Sequence, residues 1–164
     1  MSFFIKYRCK IITINVIICN TKISKVRYGV NMDKQIRKSK NTTTLQLRKG
    51  VKADFDIIGR CLIIKLYEDL DHHNAIPVRE ESDKLISGNN ILDIVFDFTG
   101  SDFMDSSGIG VIMGRYKKVI FTGGKVAVTG VNQSIDRIFR LSGLYKIIHK
   151  FETIEDALRK FKYI

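Results

Sequence analysis

The sequence predicts a small α/β domain over residues 53–163, a sheet with helices packed largely on one side. Three observations predict it. Short strand-like apolar runs take turns with segments whose apolar residues recur at helical spacing. Asp, Asn or Thr stands at the start of helical segments, and Gly or Ser-Gly closes them. Charge is balanced in this region, with 15 Lys+Arg against 16 Asp+Glu from Ala53 onward.

The elements follow in order. Ala53–Ile58 reads as a strand, Gly59-Arg60 as a turn and Cys61–Tyr67 as a second strand, so the two form a hairpin. Glu68-Asp69-Leu70-Asp71 is an acidic turn before a helix that reaches Ile86 and is closed by Gly88. Proline is comfortable only in a first helical turn, so Pro77 places the expected N-cap at His73 or Asn74 rather than Asp71. Ile91–Phe98 alternates, with Leu92, Ile94, Phe96 and Phe98 on one face and Asp93, Val95 and Asp97 on the other. That predicts a strand covered on one face and partly wet on the other.

Asp105 caps a helix from Ser106 to about Phe121. Its predicted inward stripe is Ile109, Ile112, Met113, Tyr116 and Ile120, with Arg115, Lys117 and Lys118 off it. Gly123-Gly124 ends the helix and Lys125–Thr129 forms another strand. Asn132 caps a third helix, with Ile135, Ile138 and Phe139 inward and Ser142-Gly143 as its stop. Tyr145–His149 reads as a short strand. Thr153 opens a last helix, with Ile154, Ala157, Leu158 and Phe161 inward and Asp156 in capping-box position.

The leading 50 residues differ in character. The net charge of +11 comes from them, since the chain up to Lys52 holds 13 Lys+Arg and a single acid, Asp33. Residues 33–49 are polar and basic and read as a mobile tail. The run Ile11–Cys19 behind Lys6, Arg8 and Lys10 loosely imitates a signal peptide. It is short, contains Thr13 and Asn15, lacks a small-residue cleavage site and cannot span a bilayer. Met32-Asp33-Lys34 is a cleaner start, and Met32 is the expected first residue of the native protein. With Cys9, Cys19 and Cys61 as its cysteines and no CxxC, the chain offers no disulfide framework or zinc site, and a reduced, cytoplasmic home is expected. Nucleic acid and membrane are not expected partners, because the folded region has no positive excess to present.

One segment stands out chemically: Asp102-Phe103-Met104-Asp105-Ser106-Ser107-Gly108-Ile109-Gly110. It leaves a strand's carboxyl end and enters a helix, which is where sites collect in α/β sheets. Asp105 accepts from free helix amides, and Ser106 opens the helix with its hydroxyl free of the backbone bonds. Gly108 and Gly110 remove side chains beside it, so another protein can approach. The same residues also suit a plain helix start, and residue physics alone leaves both readings open.

Enzyme readings fit poorly. Gly108–Gly114 is GxGxxxG, one residue off the dinucleotide fingerprint, and Gly130-Val131-Asn132 lacks the acid that would hold a ribose. There is no P-loop and no G-x-S-x-G, and the chain has three His, namely His72, His73 and His149. Adjacent His72 and His73 point about 100° apart on a helix and make a poor metal pair. No catalytic residue, metal or cofactor is expected.

The run from Asp102 through Ser106-Ser107-Gly108 to Gly114-Arg115-Tyr116-Lys117 resembles the signature of the STAS domain family, and is most similar to its anti-sigma factor antagonists of early sporulation. Asp69–Ala75 and Arg140–Ile148 match the same family in order and spacing, so the resemblance covers about 53–163 and not 1–50. It implies a single STAS domain, a mixed sheet of four or five strands with helices mainly on one face. It implies a binding protein rather than an enzyme, one that engages an anti-sigma factor which is also a serine kinase and so frees a sporulation sigma factor. Phosphorylation would fall on the first serine of Asp-Ser-Ser-Gly, here Ser106, and a serine phosphatase would reverse it. Asp71, Asp105, Ser106, Ser107, Gly108 and Gly110 would form the contact surface of a monomer. A STAS module in another partner-switching or stressosome-like pathway is the alternative. Glu68, where relatives carry Gly, and Pro77, where relatives continue a helix, depart from the pattern.

Overall fold

The computed structural model describes residues 42–44 and 52–164. Six strands form one mixed sheet: β1 (Thr42–Thr44), β2 (Ala53–Ile58), β3 (Cys61–Leu66), β4 (Asp93–Asp97), β5 (Val126–Thr129) and β6 (His149–Lys150). They lie side by side in chain order. β1, β2 and β3 pair antiparallel, and β3 through β6 pair parallel. The helices are α1 (His72–Gly88), α2 (Ser106–Ile120), α3 (Gln133–Leu141) and α4 (Ile154–Lys160).

Side-chain parity decides which helix covers which face. Leu62, Ile64, Ile94, Phe96, Val126 and Val128 point to one side and meet α1, α2 and α3 in the main core. Cys61, Ile63, Val95 and Ala127 point to the other side, where α4 covers them with Ala157, Leu158 and Phe161. Each large apolar side chain buried this way contributes about 1.5–3 kcal/mol. The mixed sheet with helices mainly on one face therefore stands, with one short helix opposite.

Several local expectations change. The 33–49 tail contains β1, which pairs Thr42, Thr43 and Thr44 with Ile58, Ile57 and Asp56 and makes the sheet six strands wide. The rest of the leader, with the expected start at Met32, lies outside the described residues. The second face of β4 is drier than expected: Asp93 is 5% exposed and Val95 fully buried, and only Asp97 at its end is partly exposed. The Asp93 carboxylate accepts from the Lys125 amide at 2.7 Å and the Tyr163 hydroxyl at 2.8 Å, which is how a charged residue sits under α4.

The N-cap of α1 is Asp71 rather than His73 or Asn74, and Pro77 lies inside the helix. The ring removes one helical hydrogen bond, and the carbonyl that loses it belongs to His73, an exposed residue. The short strand expected at Tyr145–His149 forms only at its end, as β6 at His149–Lys150. Gly143, at φ +73°, turns the chain into a 3₁₀ helix at Leu144–Lys146, and the buried pair Leu144 and Ile148 follows a helical rather than an alternating period.

The buried stripe of α2 is Gly108, Val111, Ile112, Arg115 and Val119. Ile109, Met113 and Tyr116 flank it, and Ile120 is 40% exposed. The helix is rotated from its expected setting, and Arg115 points inward with it. Gly108 explains the rotation: it lets the helix start press against Leu70 and Met104, closer than any side chain would allow.

Candidate functional site

The site lies where β3 and β4 end and α1 and α2 begin. A backbone ladder joins the two connecting loops. The Leu70 amide donates to the Phe103 carbonyl at 3.1 Å, and the Asp105 amide to the Leu70 carbonyl at 3.4 Å, a parallel bridge between Leu70 and Met104. The Asp69 carboxylate adds bonds from the amides of Asp102 (3.0 Å) and Phe103 (2.9 Å). The loop after β5 joins in: the Asn132 side-chain amide donates to the carbonyls of Ser101 and Asp102 at 3.3 and 3.1 Å.

Each of these loops also caps its own helix. Asp71 accepts from the His73 and Asn74 amides at 3.0 and 2.9 Å. Asp105 accepts from Ser107 and Gly108 at 2.7 and 3.4 Å, and Asn132 from Ile135 at 2.9 Å. Three helix N-termini thus open at one end of the sheet, a region of positive dipole with backbone donors turned outward. The Asn74 amide, helped by the His73 amide and the two nearby imidazoles, holds the Asp71 carboxyl below its usual range against the cost of desolvation.

Ser106 is the exposed first residue of α2, and its hydroxyl makes no hydrogen bond among the described residues. Ser107 is half-buried beside it. Asp71, Asp105, Ser106 and Ser107 therefore come together as expected. The two glycines part company. A Cβ at Gly110 would meet nothing within 4 Å, so that position does leave an open surface. A Cβ at Gly108 would lie 2.3 Å from Met104 Cγ and 2.7 Å from the Leu70 carbonyl oxygen. Gly108 is buried and serves the packing of the site, not the approach of another molecule.

The surroundings contain features the sequence reading missed. Phe103 is 49% exposed, Tyr67 55% and Ile76 62%; Tyr67 lines an acidic depression with Glu68, Asp69, Asp71 and Asp102, and Ile76 lines the groove between α1 and α2. No local signal marks Phe103, since its neighbour Met104 is as apolar in sequence and is the one that is buried. Glu68 adopts no left-handed backbone and pairs with Lys52, so a side chain at that turn is accommodated. Among the described residues no group of three or more His, Cys, Asp or Glu could hold a metal ion.

The profile of the STAS domain family matches residues 52–157. The chain belongs to the STAS domain family. The STAS domain here is 39% identical over 103 residues to the anti-sigma F factor antagonist of Paenibacillus polymyxa, covering 63% of this chain and 88% of that protein. It superimposes on the anti-sigma factor antagonist SpoIIAA in its unphosphorylated form with a TM-score of 0.57 at 22% identity, over 68% of this chain and 99% of that one. The phosphorylated form of SpoIIAA, a Bacillus cell fate determinant, superimposes with a TM-score of 0.56 at 24% identity, over 66% and 98% of the two chains. Among the described residues of this STAS domain no helix is long and apolar enough to cross a membrane.

Proposed function

We propose that this STAS domain is an anti-sigma factor antagonist: unphosphorylated, it binds an anti-sigma factor that is also a serine kinase and frees a sporulation sigma factor. Phosphorylation of Ser106 switches it off, and a serine phosphatase restores it. The observation that carries the reading is Ser106 itself, an exposed hydroxyl at the capped start of α2, joined by the backbone ladder to the Asp71 loop. The 39% identity to an anti-sigma F factor antagonist supports the choice of partner.

The physics of the switch follows from position. A helix N-terminus accommodates a phosphate through its free amides and dipole, so the modification leaves the domain folded. It adds about −1.5 to −2 charges at a contact made of small residues. An unpaired charge enclosed in an interface costs roughly 2–5 kcal/mol, which weakens binding about thirtyfold or more.

The test is phosphosite mapping and calorimetric binding with the anti-sigma F factor of Paenibacillus polymyxa and ATP. Phosphate should appear on Ser106. Ser106→Ala should bind like the wild type and resist inactivation, and Ser106→Asp should bind at least thirtyfold more weakly. Modification at Ser107, or equal affinity of wild type and Ser106→Asp, would overturn the assignment.

A further inference from the structure

We propose that the groove between α1 and α2 receives a carboxylate side chain, Glu or Asp, of the protein that contacts Ser106, and that Arg115 and Arg79 hold it. The identity of the partner rests on the proposed function; the groove itself can be tested without it.

The groove encloses about 600 Å³ and is lined by Ile76 and Arg79 of α1 and by Ser107, Gly110, Gly114 and Arg115 of α2. Arg115 is 3% exposed. Its Nη2 lies 2.7 Å from Asp83, but Nε and Nη1 have no hydrogen-bond partner among the described residues. A guanidinium carries five N–H donors in a fixed fork, and burying them unmatched is costly. The same Asp83 oxygen also lies 2.9 Å from Lys118 Nζ, yet it makes no hydrogen bond among the described residues, so Asp83 offers Arg115 an ion pair without hydrogen-bond geometry. Arg79 stands on the opposite wall, close enough that its charge, together with burial, opposes that of Arg115, with Asp83 acting the other way. The groove is short of negative charge.

Its shape favours an acidic side chain. A Cβ at Gly110 or Gly114 would meet nothing within 4 Å, so the α2 wall is left open rather than filled by packing. Ile76, 62% exposed, and these glycines offer an apolar passage for a methylene stem, and a guanidinium fork is the group that matches a planar carboxylate. Ser107 lines the groove and adjoins Ser106, so a protein seated on the start of α2 reaches the groove without a gap.

The first arm of the test is an NMR titration of the full chain with sodium acetate, and in parallel with inorganic phosphate at matched ionic strength. Acetate should shift the Arg115 Nε–H and the Gly110 and Gly114 amides saturably. No saturable shift, or saturation by phosphate at far lower concentration than acetate, would overturn the carboxylate assignment. The second arm measures binding of the Paenibacillus polymyxa anti-sigma F factor. Arg79→Glu and Gly114→Glu should each weaken it at least tenfold, and Arg79→Lys, which keeps the charge and loses the fork, should weaken it less than Arg79→Glu, while Gly114→Ala should stay within threefold, all with unchanged circular dichroism. If both Glu variants bind within twofold of wild type, the groove contacts no partner acid and the inference falls. If wild type itself does not bind but acetate still shifts Arg115, the partner reading fails and the carboxylate site stands.

Discussion

Replacing Gly108 by Ala should damage the domain, while the same change two residues on, at Gly110, should strengthen it. Both positions lie in α2, where Ala is favoured over Gly by about 1 kcal/mol. At Gly110 nothing stands within 4 Å of the new methyl, so the gain is kept. At Gly108 the methyl would meet Met104 Cγ at 2.3 Å, Met104 Sδ at 2.9 Å and the Leu70 carbonyl oxygen at 2.7 Å. The methionine can swing aside, but the carbonyl is backbone, held by the Asp105 amide. Overpacking of this kind costs typically about 1–3 kcal/mol. Moving α2 away to relieve it would also break the Asp105–Leu70 bond, a further loss of about 1 kcal/mol. Against the propensity gain, Gly108→Ala should lose roughly 2 kcal/mol, a fall of about 6–12 °C in melting temperature for a domain of this size. Gly110→Ala should gain roughly 0.5–1 kcal/mol. Urea and thermal unfolding of the full chain measure both. If Gly108→Ala is as stable as Gly110→Ala, α2 does not start against Leu70 as described, and the ladder joining the two loops falls with it.

Three further outcomes are expected. Asp71→Asn keeps a capping oxygen and should change stability little, whereas Asp71→Ala should lose about 1 kcal/mol; a loss of anti-sigma factor binding in the stable Asn variant would separate the contact role from the cap. Asp136 is held well below the usual carboxylate range by bonds from Lys150 (2.8 Å), the Tyr145 hydroxyl (2.7 Å) and Arg140 (2.6 Å). Because its folded pKa is depressed, its contribution is full above the unfolded value near 3.9 and fades as pH falls through the folded one. Acid unfolding of Asp136→Asn should therefore be shallower than that of wild type below about pH 4, and parallel curves would rule this out. Tyr163→Phe leaves the buried Asp93 carboxylate without its 2.8 Å donor and should cost about 1–3 kcal/mol by urea unfolding; an unchanged midpoint would show that Asp93 does not depend on that hydroxyl.

Much of the fold was legible because its signals are local. The hairpin, the two central strands and the caps Asp105, Asn132 and Thr153 depend on residues close in sequence, and each appears where its pattern places it. What could not be read depends on distant partners. Arg115 looks like a surface residue beside Lys117 and Lys118, and only the rotation of α2 about Gly108 takes it inside. Asp93 looks like the wet face of a strand until Tyr163, 70 residues later, arrives with α4 to cover it. Pro77 misleads about the cap because its cost falls on one exposed carbonyl, while Asp71 supplies two amide bonds to the helix start. At the site, Ser106 was legible as a capped, exposed serine, but the role of Gly108 was not, because its constraint comes from Leu70 across the loop.

The same construction explains how a charge can be added at Ser106 without disturbing the sheet. The groups that hold the site together are backbone amides and carbonyls, with Asp69, Asp105 and Asn132 side chains bonded to them, and the Ser106 hydroxyl is not among them. Modifying that hydroxyl removes no structural bond. The helix-terminal amides favour the anion that results. Stability and recognition are thereby separated within a few residues: the buried side of the α2 start, Gly108 against Leu70, fixes position, and the exposed side, Ser106 and Gly110, is free to be read by a partner. On the proposed function, a phosphate on Ser106 would switch the domain by altering what the surface presents while leaving what supports it intact.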